Sequence, residues 1–331
     1  MVGVGIIFYY FHYKLLTTHY KLSMKTVLIT GGAGFIGSHI ADACTDKGYR
    51  VVVLDNLSHG TQENLPEGSV FYHGDIRDES VLCEIREKES PLIVIHCAAQ
   101  ISVPQSIKNP DETFVINSNA VERIVSILKP LKIVFSSSGG AVYGNPDILP
   151  TPENHPLAPL SPYGESKCRA EEILKMYHER YPHTAVTLLR YANVYGGRQP
   201  AQGGGVIAIA CKKLLSDEEF SINGTGEQTR DFVHVSDVVS ALMLALDIER
   251  GFVCYNIGSG REFSLREAVA LLESVAGKTL KIRHGESVDE VSRSMLDISQ
   301  ARAWGWAPAV SFEDGLKRTW ESWGTKVKMK K

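Results

Sequence analysis

The stretch Val27-Leu28-Ile29-Thr30-Gly31-Gly32-Ala33-Gly34-Phe35-Ile36-Gly37 constrains the fold more than any other: a short apolar run ends in glycines and a new apolar pattern begins at once. It reads as strand, turn and helix. Gly31 lets the chain turn sharply, Gly34 removes a side chain where backbone amides must approach a pyrophosphate, and Gly37 lets the helix lie close to the strand. The anion would sit on the helix N-terminus.

A glycine-rich turn is as often a plain tight loop as a ligand site, so context decides. Here a helix over 35 to about 47 comes next, and then a second apolar strand, Arg50-Val51-Val52-Val53-Leu54, ending in Asp55. Asp55 lies eighteen residues past Gly37, near the spacing of the carboxylate that accepts hydrogen bonds from an adenosine ribose. A carboxylate there repels a 2′-phosphate, which favours NAD over NADP.

The 331 residues suffice for one large domain or two modest ones. A net charge of −3 with no long basic run gives nucleic acid no foothold. The six cysteines, at 44, 83, 97, 168, 211 and 254, form no C-x-x-C pair and no metal spacing. They read as buried free thiols of a reducing cytosol, with no metal site. Residues 1–23 do not match the alternating pattern of the rest of the chain. The apolar run over 2–13 is about twelve residues, too short to cross a bilayer of roughly 30 Å as a helix. A signal peptide would need a charged start and a small-residue cleavage site. The expectation is an extension outside the fold, with Met24-Lys25 as a natural start and a membrane-associating tail as the minority reading; no stable membrane insertion is expected.

Further along, a polar loop (56–68) leads to Val70-Phe71-Tyr72 and Gly74-Asp75-Ile76, where Asp75 either meets an adenine or serves as a turn residue. A helix from 79 to about 88 precedes Leu92-Ile93-Val94-Ile95-His96, a continuous apolar strand of the kind buried on both faces of a parallel sheet. Ala98-Ala99 then allow close approach of a cofactor. A helix over about 110–128, a strand over 132–135, a serine-glycine loop over 136–144, a Pro-rich loop, a helix over 163 to about 181 and a strand over 185–190 continue the alternation. That pattern predicts a parallel, doubly wound sheet. Glycines at 196, 197 and 203 to 205 mark the exit to a second region, and the segments 229–245 and 252–257 look like returns to the sheet.

Tyr163-Gly164-Glu165-Ser166-Lys167 opens a helix, so Tyr163 and Lys167 share a face one turn apart. A free phenol titrates near 10, but an ammonium and a nicotinamide cation beside it favour phenolate. Tyr163 can then act as general base, with Lys167 also binding the cofactor ribose.

At this point the chain resembles the extended short-chain dehydrogenase/reductase family, in its nucleotide-sugar epimerase group, over about 25–323. The carriers are the glycine turn, Asp55-Asn56, Gly74-Asp75-Ile76, His96-Cys97-Ala98-Ala99, the triple serine 136–138, Tyr163 with Lys167, Arg190-Tyr191-Ala192-Asn193-Val194-Tyr195-Gly196, and Arg230-Asp231-Phe232-Val233-His234-Val235. The resemblance implies tightly held, recycled NAD and 4-epimerisation of a UDP-hexose, either glucose with galactose or also their N-acetylated amino counterparts. It implies that Tyr163 takes the proton of the sugar 4-hydroxyl while Ser138 bonds the same oxygen. Phe35, Ile36, Asn56, Ile76 and Tyr191 join Gly31, Gly34, Gly37, Asp55, Asp75, Ala98, Ala99, Tyr163 and Lys167 as the implied cofactor contacts. Asn193 and Arg230 would hold the diphosphate, Arg230 because a guanidinium pairs with phosphate oxygens bidentately; the alternative is that Arg230 partners Asp231 or Asp237. It also implies a homodimer through helices near 117–128 and 165–181.

Dehydratases of the superfamily carry Asp-Glu after the equivalent hydroxyl residue, whereas this chain has Gly139-Gly140-Ala141, so dehydration is disfavoured. Three departures from the family pattern stand out. The loop 138–143 is one residue longer than in many members, which leaves Ser137 as a second candidate for the role of Ser138. Ser287 falls where a second diphosphate arginine is expected, while Arg283-His284-Gly285-Glu286 resembles that motif four residues early. Ser294 replaces a bulky tyrosine of glucose/galactose-restricted members and leaves room for an N-acetyl group. A uronate epimerase, a decarboxylase, a reductase or a catalytically silent NAD-binding regulator are the competing readings.

The expected architecture is α/β, a Rossmann-type doubly wound parallel sheet with a smaller C-terminal substrate-binding domain. Residues 1–23 lie outside the fold, 24–192 form the NAD-binding domain with returns at about 229–257, and 193–228 with 258–323 bind substrate. The expected setting is cytoplasmic.

Overall fold

The computed structural model describes residues 26–286 and 291–329. The extension over 1–23, the start at Met24-Lys25 and Ser287 therefore lie outside the described residues. In chain order the elements are β1 (Thr26–Thr30), α1 (Phe35–Asp46), β2 (Arg50–Asp55), β3 (Val70–His73), α2 (Glu79–Glu89), β4 (Ile93–His96), α3 (Val103–Lys108) and α4 (Pro110–Phe114). A π-helical segment (Val115–Asn119) joins α4 to α5 (Ala120–Leu128), succeeded by β5 (Lys132–Ser138), α6 (Gly139–Val142), α7 (Pro162–Arg180), β6 (Ala185–Tyr191) and β7 (Asn193–Tyr195). The rest comprises α8 (Val206–Ser216), β8 (Glu219–Asn223), β9 (Thr229–His234), α9 (Val235–Ala245), β10 (Phe252–Ile257), β11 (Glu262–Ser264), α10 (Leu265–Ala276), β12 (Lys281–Gly285), α11 (Ser299–Trp304) and α12 (Phe312–Met329).

Seven strands form one sheet in the order β10-β6-β5-β4-β1-β2-β3, every neighbouring pair parallel. Every residue of β1 and of β4 is buried, as helices on both faces require. The winding reverses between β1 and β4. Ligands of such sheets bind in the crevice beyond the strand carboxyl ends at that point. Thr30 and His96 are paired in register at those ends, and the Thr30 hydroxyl meets His96 Nδ1 at 2.7 Å.

One of the two expected returns to the sheet differs in the structure. β10 does add to the sheet, beside β6. The strand of the earlier segment, β9, pairs instead with β7 and β11 in a separate three-stranded sheet. The edge beside β6 belongs to β10, so only the helix after β9 comes back. On α9, Val238, Ala241 and Leu242 join Ile40, Ala41 and Cys44 of α1 in the main core. β8 and β12 pair in a third sheet. A second core, with Tyr195, Phe220, Phe232, Leu272, Phe312 and Leu316, lies under these smaller sheets.

Two local departures bear on the site. The serine-glycine loop expected over 136–144 starts later, at the end of β5, because Ser136, Ser137 and Ser138 stay in register with Leu189, Arg190 and Tyr191 of β6. The helix expected over 110–128 is continuous but widens into the π segment, which buries Asn117 and Ser118. Of the six cysteines, Cys44 and Cys211 are buried, Cys83 is exposed and the others are half-buried, and all six are free thiols. Among the described residues, no helix is long and apolar enough to cross a membrane.

Candidate active site

The glycine turn lies at the mouth of the crevice. Gly31 has φ +68°, its N–H donates to Leu54 O at 2.8 Å, and a Cβ on it would fall 2.6 Å from Ala98 N. A Cβ on Gly37 would sit 2.1 Å from Gly31 O, so helix and turn are packed backbone to backbone. α1 starts at Gly34 with no side-chain cap and no acidic residue in its first turn. Its leading N–H groups are thus offered to an external anion rather than satisfied by a neighbouring carboxylate. Phe35 and Ile36 come next, both half-buried.

Asp55 ends β2 against this turn. One of its oxygens accepts from Ala33 N at 3.0 Å and the other from Leu57 N at 2.8 Å. A carboxylate has about four acceptor sites, so capacity remains for a ligand hydroxyl. Asp75 is held within its own turn, accepting from Arg77 N at 2.9 Å, from the Arg77 guanidinium twice at 2.8 Å, and from Asn56 Nδ2 at 3.0 Å. The bonded guanidinium holds its carboxyl down to about 2. Ile76 is buried beside it, and Ala98 and Ala99 are half-buried across the crevice.

The candidates Tyr163, Ser138 and Lys167 come together where α7 crosses the end of β5. Ser161 caps α7 by accepting from Gly164 N at 3.3 Å, and Pro162 starts the first turn. A Cβ on Gly164 would lie 2.5 Å from Ala141 O, so α7 rests directly on α6. This sets Tyr163, half-buried, beside Ser138 at the end of β5. Burial raises the phenol above its ordinary value, and the neighbouring Ser138 hydroxyl pulls it down. The expected pull from Lys167 does not enter that balance. Lys167 donates to Ser136 O at 2.9 Å and lies 4.9 Å from the Phe135 ring centre, where burial brings its ammonium down to about 8.

The other two serines have other partners. Ser137 Oγ donates to Glu171 at 2.6 Å; Glu171 pairs with Arg190, and Arg190 reaches the Tyr143 hydroxyl at 2.8 Å. Ser136 Oγ is shared with the Tyr191 hydroxyl at 3.3 Å and Cys97 Sγ at 3.2 Å. Tyr191 is therefore buried behind Ser136, its phenol raised by burial. Asn117, absent from the residues expected on sequence grounds, exchanges two bonds with the Gln100 backbone at 2.8 and 2.9 Å and donates to Ser166 Oγ at 3.0 Å. The available signal was Asn117-Ser118-Asn119, three polar residues of poor helix propensity in mid-helix.

Two of the substrate candidates, Asn193 and Arg230, come from a smaller sheet, and Ser294 from the loop after β12. A Cβ on Gly140 would lie 3.6 Å from Ser294 Oγ and 3.8 Å from Asn193 Oδ1, so both side chains converge two residues past Ser138. Ser294 is buried there. Arg230 is half-buried on β9 and donates to Thr229 O at 2.8 Å. Its two alternative partners are engaged elsewhere: Asp231 accepts from Ser259, Gly260 and Leu296, and Asp237 from Ala309 N and Val310 N. Arg283 lies on an exposed strand, paired with Glu219 at 3.0 Å.

A doubly wound sheet with an uncapped glycine-turn helix at its switch point and a Tyr/Ser/Lys cluster at the end of β5 defines a dinucleotide-binding protein of the Rossmann class. The sequence matches the NAD dependent epimerase/dehydratase family over residues 27–258, and the chain belongs to that family. It is 37% identical over 309 residues to a UDP-glucose 4-epimerase of Mycolicibacterium smegmatis, covering 90% of this chain and 98% of that protein. A crystal structure of UDP-glucose 4-epimerase from Thermotoga maritima with UDP-glucose superposes with a TM-score of 0.88 at 39% identity, covering 91% of this chain and 99% of that one. The Thermus thermophilus UDP-glucose 4-epimerase complex with NAD gives 0.86 at 35% identity, covering 90% and 99%.

Proposed function

We propose that this protein is an NAD-dependent UDP-hexose 4-epimerase whose reacting groups are Tyr163, Ser138 and Lys167. The observation that carries the reading is Tyr163 set beside Ser138 at the end of β5, one helical turn from Lys167, whose Nζ is fixed on Ser136 O. The uncapped start of α1, the spare acceptor capacity of Asp55 and the crowding at Gly31 and Gly37 fit a dinucleotide. When bound, NAD would supply reversible hydride transfer at the sugar carbon.

The chain's own residues supply the rest. Tyr163 removes the proton of the 4-hydroxyl and gives it back after the sugar has turned. Ser138 holds that oxygen in line through the same hydroxyl cluster. Lys167, fixed by Ser136 O, brings a cation to the cofactor ribose and the phenol, so that phenolate is favoured once both ligands are in place. Asn193 and Arg230 hold the diphosphate. Cofactor contacts run along Gly34, Phe35, Ile36, Asp55, Asn56, Asp75, Ile76, Ala98, Ala99 and Tyr191. Gly139-Gly140-Ala141 offers no acid or base for water loss, and Asp55 opposes the 2′-phosphate a net reductase would use.

A second substrate class is favoured by one observation: Ser294 is small, buried and adjacent to Gly140. That room suits an N-acetyl group, so UDP-N-acetylglucosamine and its 4-epimer join the substrate set. We also assign NAD binding to residues 24–192 with the later returns, and substrate binding to 193–228 with 258–323. A homodimer through the helices near 117–128 and 165–181 completes the reading, as does a cytoplasmic setting, in keeping with six free thiols. A proton NMR time course with UDP-glucose and, separately, UDP-N-acetylglucosamine tests it. New anomeric signals of the galacto epimers are expected; unchanged spectra with bound NAD would reject it.

A further inference from the structure

Asp231 comes directly after Arg230 on β9, and alternation along a strand turns the two side chains to opposite faces. Asp231 is fully buried. Its Oδ1 accepts from Ser259 N at 2.7 Å and Ser259 Oγ at 2.6 Å, and its Oδ2 accepts from Gly260 N at 3.2 Å and Leu296 N at 3.3 Å. The chain makes room for this cluster: a Cβ on Gly258 would fall 2.5 Å from Oδ2, and Gly260 turns with φ +69°.

These donors belong to two other pieces of chain. Ser259 and Gly260 begin the loop after β10. Leu296 ends the segment that carries Ser294, and its methyl groups occupy the space over Gly139, where a Cβ would come within 2.8 Å of both. One carboxylate thus joins the strand bearing Arg230, the exit of the main sheet, and the segment that packs Ser294 and Leu296 against Gly139 and Gly140. Burial pushes its carboxyl up to about 6 against the pull of these donors.

We propose that Asp231 is a positioning residue of the sugar-diphosphate site, holding Arg230 and Ser294 in register with Ser138 through the backbones it ties together. The inference rests on the UDP-sugar function proposed for this site. An ionised carboxylate accepts at both oxygens, whereas the isosteric amide turns an NH2 towards at least one existing N–H donor and breaks that tie. Removing the Ser259 hydroxyl takes away one of the four bonds and leaves the carboxylate in place.

The test uses the full chain with Asp231→Asn and Ser259→Ala, measuring UDP binding by calorimetry, KM and kcat with UDP-glucose, and NAD content. Asp231→Asn should weaken UDP binding and raise KM by about tenfold or more, the loss of one to two charge-assisted bonds, with kcat within about threefold of wild type and NAD content unchanged. Ser259→Ala should move the same two quantities in the same direction by a smaller factor. A parallel fall in kcat and NAD content, or an unchanged KM, would overturn the proposal in favour of a purely structural carboxylate. Where Asp231→Asn is insoluble, Ser259→Ala decides: raised KM at constant kcat supports the proposal, and wild-type constants overturn it. Wild-type protein that neither binds UDP nor converts a UDP-sugar would remove the functional reading itself, an outcome seen before any variant is made.

Discussion

Lys167 Nζ donates to the Ser136 carbonyl at 2.9 Å, so the cation of the site is tied to β5, one residue before the serine that bonds Glu171 and two before the serine that meets Tyr163. β5 and α7 therefore set the reactive geometry together.

This burial makes Lys167 a pH-dependent contributor to stability. Its ammonium titrates near 8 in the fold against 10.5 for the free side chain, so between those values the unfolded chain holds the extra proton. Stability contributed by this group therefore rises with pH across that window, on the order of 3 kcal/mol in all. The difference in unfolding free energy between wild type and Lys167→Met, tracked from pH 7 to 10.5 by urea titration, should grow with pH. A flat difference would contradict the burial argument.

Tyr163→Phe should lower kcat by about 10²- to 10⁴-fold, the range for loss of a general acid–base group. It should leave NAD bound, measured as nucleotide released on denaturation. Ser138→Ala should lower kcat in the same direction, while Ser137→Ala, whose hydroxyl serves Glu171, should act on stability rather than on turnover.

Removing one partner of a buried ion pair strands the other. Arg190 and Glu171 are both under a tenth exposed and 2.6 Å apart, so Glu171→Ala should cost about 3–5 kcal/mol. Chemical denaturation of wild type and variant checks the figure.

Most of the main sheet was legible because its signal is local: apolar runs bounded by glycines, alternating with helical segments. The glycine turn and Asp55 were legible for the same reason. What escaped depends on pairing between distant segments. Ser136 to Ser138 look like a loop until β6 pairs with them, and β9 looks like a sheet strand until β10 takes the edge. Alternation along β5 turns Ser137 to Glu171 and leaves Ser138 beside Tyr163, a difference that a loop reading of the serines hides. Asn117 matters only because a π segment turns it towards Gln100 and Ser166.

Gly37→Ala should empty the cofactor site before it unfolds the protein. Its Cβ would meet Gly31 O at 2.1 Å, an overlap that displaces α1 from the turn at a cost of about 1–3 kcal/mol or more. Loss of co-purified NAD with near-native circular dichroism is the expected result.

Ser294→Tyr should selectively impair N-acetylated substrates, raising the ratio of kcat/KM for UDP-glucose over UDP-N-acetylglucosamine. Equal loss on both would reject Ser294 as the residue that makes room.

The central claim is that hydride leaves the sugar carbon and returns to it within one site. Incubating the protein with UDP-glucose deuterated at C4 and examining the products by mass spectrometry and NMR tests this directly. The galacto epimer with deuterium retained at C4 is the predicted product. Label lost to water, or no epimer from wild-type protein with NAD bound, would contradict it.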